Sequence, residues 1–205
     1  MTLTLRPATK KDAVNAAALL AETNGGFGVE VLGLGKPDLQ ISALKQWFSE
    51  PGNRFSFQHT TIAEKFGFTA GLLLAFQGSD LAALELGCAR SIFSIYGLLG
   101  AVRMVWLNKS LAGNREAEKD EYLIAHLAVD EHFRRQGIAQ VLIGKAEQDA
   151  LLLGLSRLVL EVEMGNHNAI ALYSKAGFEI INTVYFKDKS DRFKSAGFYK
   201  MSKIL

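Results

Sequence analysis

Several absences narrow the chain before any motif does. One cysteine, Cys88, stands in 205 residues, so no intrachain disulfide can form and a reducing, cytoplasmic setting is expected. Charge of one sign is lacking too. The 23 Lys and Arg are interspersed among 21 Asp and Glu, and a net charge of +2 argues against nucleic acid as the main partner. Met1–Ala8 carries Arg6 and Pro7 without a sustained apolar core, so no signal peptide is expected. His59, His126, His132 and His167 show no metal-ligand spacing, so no metal is expected. The longest uncharged run of the apolar stretch 80–108 is Ser91–Val102, about half of the roughly 20 residues that span a bilayer. Stable membrane insertion is therefore not expected.

What remains is a chain with 49% apolar residues, enough for a large core. At about 150 residues per domain, its length favours one domain over residues 1–205, with a helical insertion near 79–110. Thr2–Arg6 alternates and stops at Pro7, as a first strand does. Lys11–Thr23 and Asp38–Ser49 predict helices, with a glycine-rich connection over Gly26–Gly35 between them. Thr60–Lys65 and Phe68–Phe76 predict a hairpin turning at Phe66–Gly67. Asp80–Asn108, free of proline, predicts one kinked helix or two successive ones, and Asn114–Asp120 a polar break.

Glu121–Val129 is almost continuously apolar, the pattern of a strand covered on both faces. Ile138–Leu153 carries apolar residues at 138, 141, 142, 146, 150 and 153, a helical stripe ending at Gly154. Arg157–Glu163, Glu179–Phe186 and Gly197–Ser202 predict strands, and Asn168–Ala176 a short helix. The alternation predicts an α/β fold, a mixed sheet with helices packed on it.

Val129–Ala139 reads V-D-E-H-F-R-R-Q-G-I-A: a buried strand, a polar loop, then a helix starting near Gly137–Ile138. Such a junction aims unpaired N–H groups and the positive helix end at one spot, an anion site. Gly137 lets a phosphate approach the backbone, and Arg134 and Arg135 add charge. Neither common nucleotide loop is present. Gly144–Lys145 is followed by Ala146 and lacks the upstream glycine of a Walker loop, and the Gly26–Gly35 glycines do not form G-x-G-x-x-G.

R-x-x-G-x-A over Arg134–Ala139, after L-A-V-D, resembles the coenzyme A pyrophosphate loop of the GCN5-related N-acetyltransferase family. Leu160–Phe178 (L-E-V-E-M-G-N-H-N-A-I-A-L-Y-S-K-A-G-F) is similar to the same family's strand-to-helix segment, with Asn166, Tyr173, Gly177 and Phe178 on matching positions. L-R-P-A-T with Asp12 is similar to its first strand and helix. Thr2–Thr23 and Thr60–Phe76 resemble the family loosely and Glu121–Phe178 closely, whereas residues 24–59 and 77–120 match nothing. Ala139 replaces a more usual glycine, and Glu131 stands where the family often has proline.

The resemblance implies a mixed sheet splayed between two parallel strands, Glu121–Val129 and Arg157–Glu163, with acetyl-coenzyme A in the splay. Its pyrophosphate would lie on Arg134, Arg135, Gln136, Gly137, Ile138, Ala139 and Gln140. Its pantetheine arm would pair with the backbone of Leu127, Ala128 and Val129, and Asn166 would touch the arm. Tyr173 would be the acid for the leaving sulfur, and Glu161, twelve residues earlier, the base, as in ribosomal-protein acetyltransferases of this family. Glu121 is the alternative base. Asn166 also suits a helix cap, and Glu161 a partner such as Arg157.

His126 is expected to be a buried, hydrogen-bonded side chain facing away from Leu127 and Val129, and Cys88 to be core filler. Three functions follow: transfer of acetyl to a small-molecule amine, transfer to a peptide or protein, or acyl-coenzyme A binding without turnover. Segment 80–108 would be a buried insertion helix, part of the acceptor site or a homodimer contact, or a membrane-surface element. Acceptor contacts are expected from Gly25–Asn53 and Asp80–Asp120.

Overall fold

A computed structural model describes residues 2–111, 115–185 and 196–205, with side chains described outside 105–111. Asn114 of the expected polar break and Phe186 of the expected sixth strand lie outside the described residues. The strands are β1 (Thr4–Pro7), β2 (Thr60–Lys65), β3 (Phe68–Gln77), β4 (Tyr122–Val129), β5 (Arg157–Glu163), β6 (Glu179–Tyr185) and β7 (Gly197–Ile204). The helices are α1 (Ala13–Val31), α2 (Pro37–Ser49), α3 (Leu81–Leu111), α4 (Ile138–Leu152) and α5 (His167–Lys175). One mixed sheet runs β1-β2-β3-β4-β5-β7-β6, antiparallel at every junction except the parallel β4–β5 pair. This is the α/β architecture expected from the alternation.

The β2–β3 hairpin turns at Phe66 and Gly67, whose φ angles of 56° and 80° suit a tight two-residue turn. Asp12 organises the entrance to α1. It accepts from the Thr9 N–H at 2.7 Å and from both terminal nitrogens of Arg6, at 2.7 and 3.0 Å. α1 extends further than its sequence suggests. Gly25, at φ 51° and ψ −148°, kinks the helix, and part of the expected glycine-rich connection resumes helical structure up to Val31. Gly97 interrupts α3 in the same way, at φ 64°, so the expected apolar helix carries its break there.

Two apolar clusters lie on the two faces of the sheet. Leu20, Leu44, Trp47, Phe48, Leu72 and Leu74 fill the face under α1, α2 and α3. Leu142, Ile143, Leu158, Leu160, Phe178 and Met201 fill the face under α4 and α5. On α4 the buried stripe is Ile138, Leu142, Ile143, Ala146 and Ala150. Val141 and Leu153, expected in the stripe, are 43% and 49% exposed, because the face meeting the sheet turns toward Ile143.

Leu86, Phe93, Leu98, Leu99 and Val102 of α3 point to solvent. By length and composition, Leu81–Met104 is apolar enough to cross a bilayer, a longer span than the uncharged run suggests. Its Leu81 and Leu84 are nevertheless buried in the first cluster.

Candidate active site

β4 and β5 are hydrogen-bonded only at Tyr122–Leu158 and Leu123–Val159, and from Ile124 onward they part. The register between β3 and β4 supplies the cause. Leu74 pairs with His126 and Ala75 with Ile124, so Ala125 is an extra residue that bends β4 away from β5. The freed edge of β4 turns its backbone N–H and C=O groups toward the gap.

A cavity of about 1080 Å³ fills this gap and continues under α1 and α3. Four of the residues expected in the site line it together, Leu127, Glu161, Asn166 and Tyr173, and His126 and Cys88 line it too. Ala128, Val129 and Arg134–Gln140 are not in its lining and stand beside it, on the strand end, loop and first turn of α4. Tyr173 is buried edge-on against Phe178, and burial pushes its phenol up to about 12, so it carries its proton at neutral pH. Asn166 caps α5, its Oδ1 accepting from the Ala169 N–H at 3.1 Å.

The loop before α4 is shaped by backbone geometry. Asp130 Oδ1 accepts from the His132 N–H at 3.0 Å, Arg135 stands at φ 59° and Gly137, the N-cap of α4, at φ 78°. A Cβ on Gly137 would meet nothing within 4 Å, so its conformation and an open approach, rather than crowding, suit a glycine here. Arg134 Nε donates to the Val129 carbonyl at 3.1 Å and its guanidinium pairs with Glu22, while Gln136 accepts from Lys65 at 2.6 Å. Ile138 anchors the turn in the second cluster. The open space beside Gly137 at the start of α4 suits a pyrophosphate.

Glu121, the alternative base, lies outside the cavity. It is buried, accepts from the Glu118 N–H at 2.8 Å, and lies 3.5 Å from Lys200 and 4.0 Å from Arg157. These contacts give it a structural role and place Arg157 beside Glu121.

Sequence reasoning missed the polar group on the opposite wall. Arg54, from the loop after α2, makes a bidentate pair with Glu116 at 2.9 and 2.6 Å and lies 3.5 Å from Glu85 of α3. Burial works against both charges of the closer pair, and mutual attraction outweighs it: the Arg54 guanidinium is held above its usual range and the Glu116 carboxyl below. The expected range 80–120 includes Glu85 and Glu116, whereas Arg54 falls one residue beyond the expected range 25–53.

His126 faces the first cluster, stacked on Phe55 at 5.6 Å. Thr23 Oγ1 donates its one proton to the Leu20 carbonyl at 2.9 Å and lies 3.0 Å from His126 Nδ1. Nδ1 must then carry the proton and donate it, so the neutral ring presents Nε2 as an acceptor. Burial, with Arg54 adding to it, lowers His126 to about 3. Its Nε2 is sealed and without a partner among the described residues. The expected burial and hydrogen bond are present; the orphaned nitrogen is additional.

Residues 91–178 match the model of the acetyltransferase (GNAT) family. The chain is 36% identical over 78 residues to the GCN5-related N-acetyltransferase 6, chloroplastic, of Arabidopsis thaliana, an alignment covering 38% of this chain and 27% of that protein. It thus spans about a quarter of the length of this curated relative. Its fold is similar over 98% of the chain to all of an N-acetyltransferase from Staphylococcus aureus Mu50, with a TM-score of 0.71 at 18% identity. It is also similar over its full length to 94% of the ribosomal-protein-S18-alanine N-acetyltransferase of Escherichia coli, with a TM-score of 0.55 at 16% identity. The splayed sheet is thus the fold of the acetyltransferases. The segment 91–178 is the part of the chain that matches the GNAT family model, and the overall fold is similar to that of these acetyltransferases.

Proposed function

We propose that the chain transfers an acetyl group from acetyl-coenzyme A to the primary amine of a small molecule. The observation that carries this reading is the parting of β4 from β5 over a cavity that holds Glu161 and Tyr173. The edge of Leu127–Val129 pairs with the amides of the pantetheine arm. Arg134–Gln140 and the start of α4 hold the pyrophosphate with backbone N–H groups and the helix dipole. The Asn166 amide nitrogen reaches the arm while its oxygen caps α5.

The neutral amine nitrogen attacks the thioester carbonyl carbon. The N–C bond forms, the C–S bond breaks, and the nitrogen's proton passes to Glu161, directly or through one water. Tyr173 donates its hydrogen bond to the sulfur as negative charge develops there, and its high affinity for the proton keeps it in the donating form. Backbone N–H groups of the bent stretch of β4 polarise the carbonyl.

A thiol-release assay over amines and peptides, run beside calorimetric titration of acetyl-coenzyme A, tests the reading. Binding with release for small amines supports it. Release for peptides alone moves the acceptor to the peptide class, and binding without release for any acceptor points to a sensor. No binding by folded protein overturns it.

A further inference from the structure

The charge balance of the cavity bears on the acceptor. Five carboxylates line it, those of Glu22, Glu85, Glu116, Glu161 and Glu163, against one lining guanidinium among the described residues, Arg54. Arg54 is already engaged by Glu116 and Glu85, and Glu22 by Arg134 outside the lining. Glu163 has no side-chain hydrogen bond or ion pair among the described residues.

The Glu163 carboxylate sits half-buried at the end of β5 beside Gly25, where a Cβ would stand 3.6 Å from Oε1. Phe27 and Phe198, packed edge to face at 5.2 Å, and the exposed Tyr185 line the same cavity. A carboxylate near aromatic rings suits an ammonium or guanidinium ion. The neutral ring of His126, which also lines the cavity, repels no cation. Burial raises the Glu163 carboxyl, as an unpaired and partly desolvated carboxylate requires, and a bound cation would relieve that cost.

We infer that the acceptor is a dibasic amine, one amino group acylated in the splay and a second cation held by Glu163 at the aromatic rim. This rests on the transferase reading and narrows its substrate class. Glu161 and Glu163 share one face of β5, two residues and therefore about 6.6 Å apart along the strand. A short alkyl diamine matches that separation.

The test compares 1,4-diaminobutane with butylamine, which lacks the second cation. In the thiol-release assay, the diamine should show a kcat/KM at least about 10-fold higher. In Glu163→Gln, shown to be folded by circular dichroism, that advantage should collapse to within about twofold. Equal rates for the two amines in the unsubstituted protein, or an advantage that survives Glu163→Gln, overturns the inference and leaves the transferase reading standing. If neither amine releases thiol, calorimetry of each amine into the coenzyme A-saturated protein decides. Diamine binding that Glu163→Gln abolishes upholds the cation site while the transferase reading fails, and no diamine binding overturns the cation site.

Discussion

Under α4 and α5 the sheet buries Leu142, Ile143, Leu158, Leu160 and Met201, with Tyr173 as the polar-tipped side chain reaching the cavity. The opposite face, under α1, α2 and α3, buries Leu20, Trp47 and Phe48, and its cavity wall also carries Arg54, Glu116 and neutral His126. One face is close-packed hydrocarbon, which holds its shape through dispersion and burial. The other keeps buried charge, which is costly unless paired and gives up packing to leave a chamber. A fold that must grip one ligand and admit another can divide those tasks between its faces. On the proposed reading, the motif-bearing half would seat the cofactor and the charged half would select the acceptor.

That contrast can be broken experimentally. Leu142→Ala, at a fully buried position of the close-packed face, should cost about 4 kcal/mol in urea unfolding. Glu116→Gln should cost about 3 kcal/mol by leaving Arg54 underpaired, whereas Arg54→Met with Glu116→Leu should cost within about 1 kcal/mol. If the double replacement is the worse of the two, the charged wall is contributing stability and not selectivity. Tyr173→Phe should lower kcat about 100-fold with little change in KM, read in the thiol-release assay. A KM effect alone would move Tyr173 from chemistry to binding.

His126 makes the pH test. Its folded value is depressed to about 3, against an unfolded value of about 6.5. As pH falls below about 6.5, the unfolded chain takes up a proton that the folded one refuses, so His126 makes stability decline toward about pH 3. Urea midpoints between about pH 4.5 and 7 should show this slope reduced in His126→Gln and retained in Leu142→Ala. The smallest effect belongs to Leu99→Ser on exposed α3, which should change stability by less than about 0.5 kcal/mol. A larger loss would show that this surface is covered in solution.

Contiguous sequence made the motif-bearing half legible. The strand, the loop with Gly137, α4, β5 and α5 follow one another, and their hydrophobic periods and caps are properties of neighbouring residues. The extra residue in β4 was not legible. A bulge is a mismatch between two strands, and Leu74 and His126 are far apart in the chain. Gly25 and Gly97 showed where helices weaken, but whether the chain bends and resumes or stops depends on what the next turn packs against.

The chain's local order of residues was enough to indicate an α/β fold and a helix start suited to phosphate, while the donor role of Tyr173 came only from the family resemblance. Only folding brought Arg54 to Glu116, 62 positions away, and Thr23 to His126, 103 positions away. Periodicity and short motifs report on neighbours along the chain. A buried charge or an orphaned nitrogen is defined by what lies across the core, so the character of the cavity wall was settled by tertiary packing.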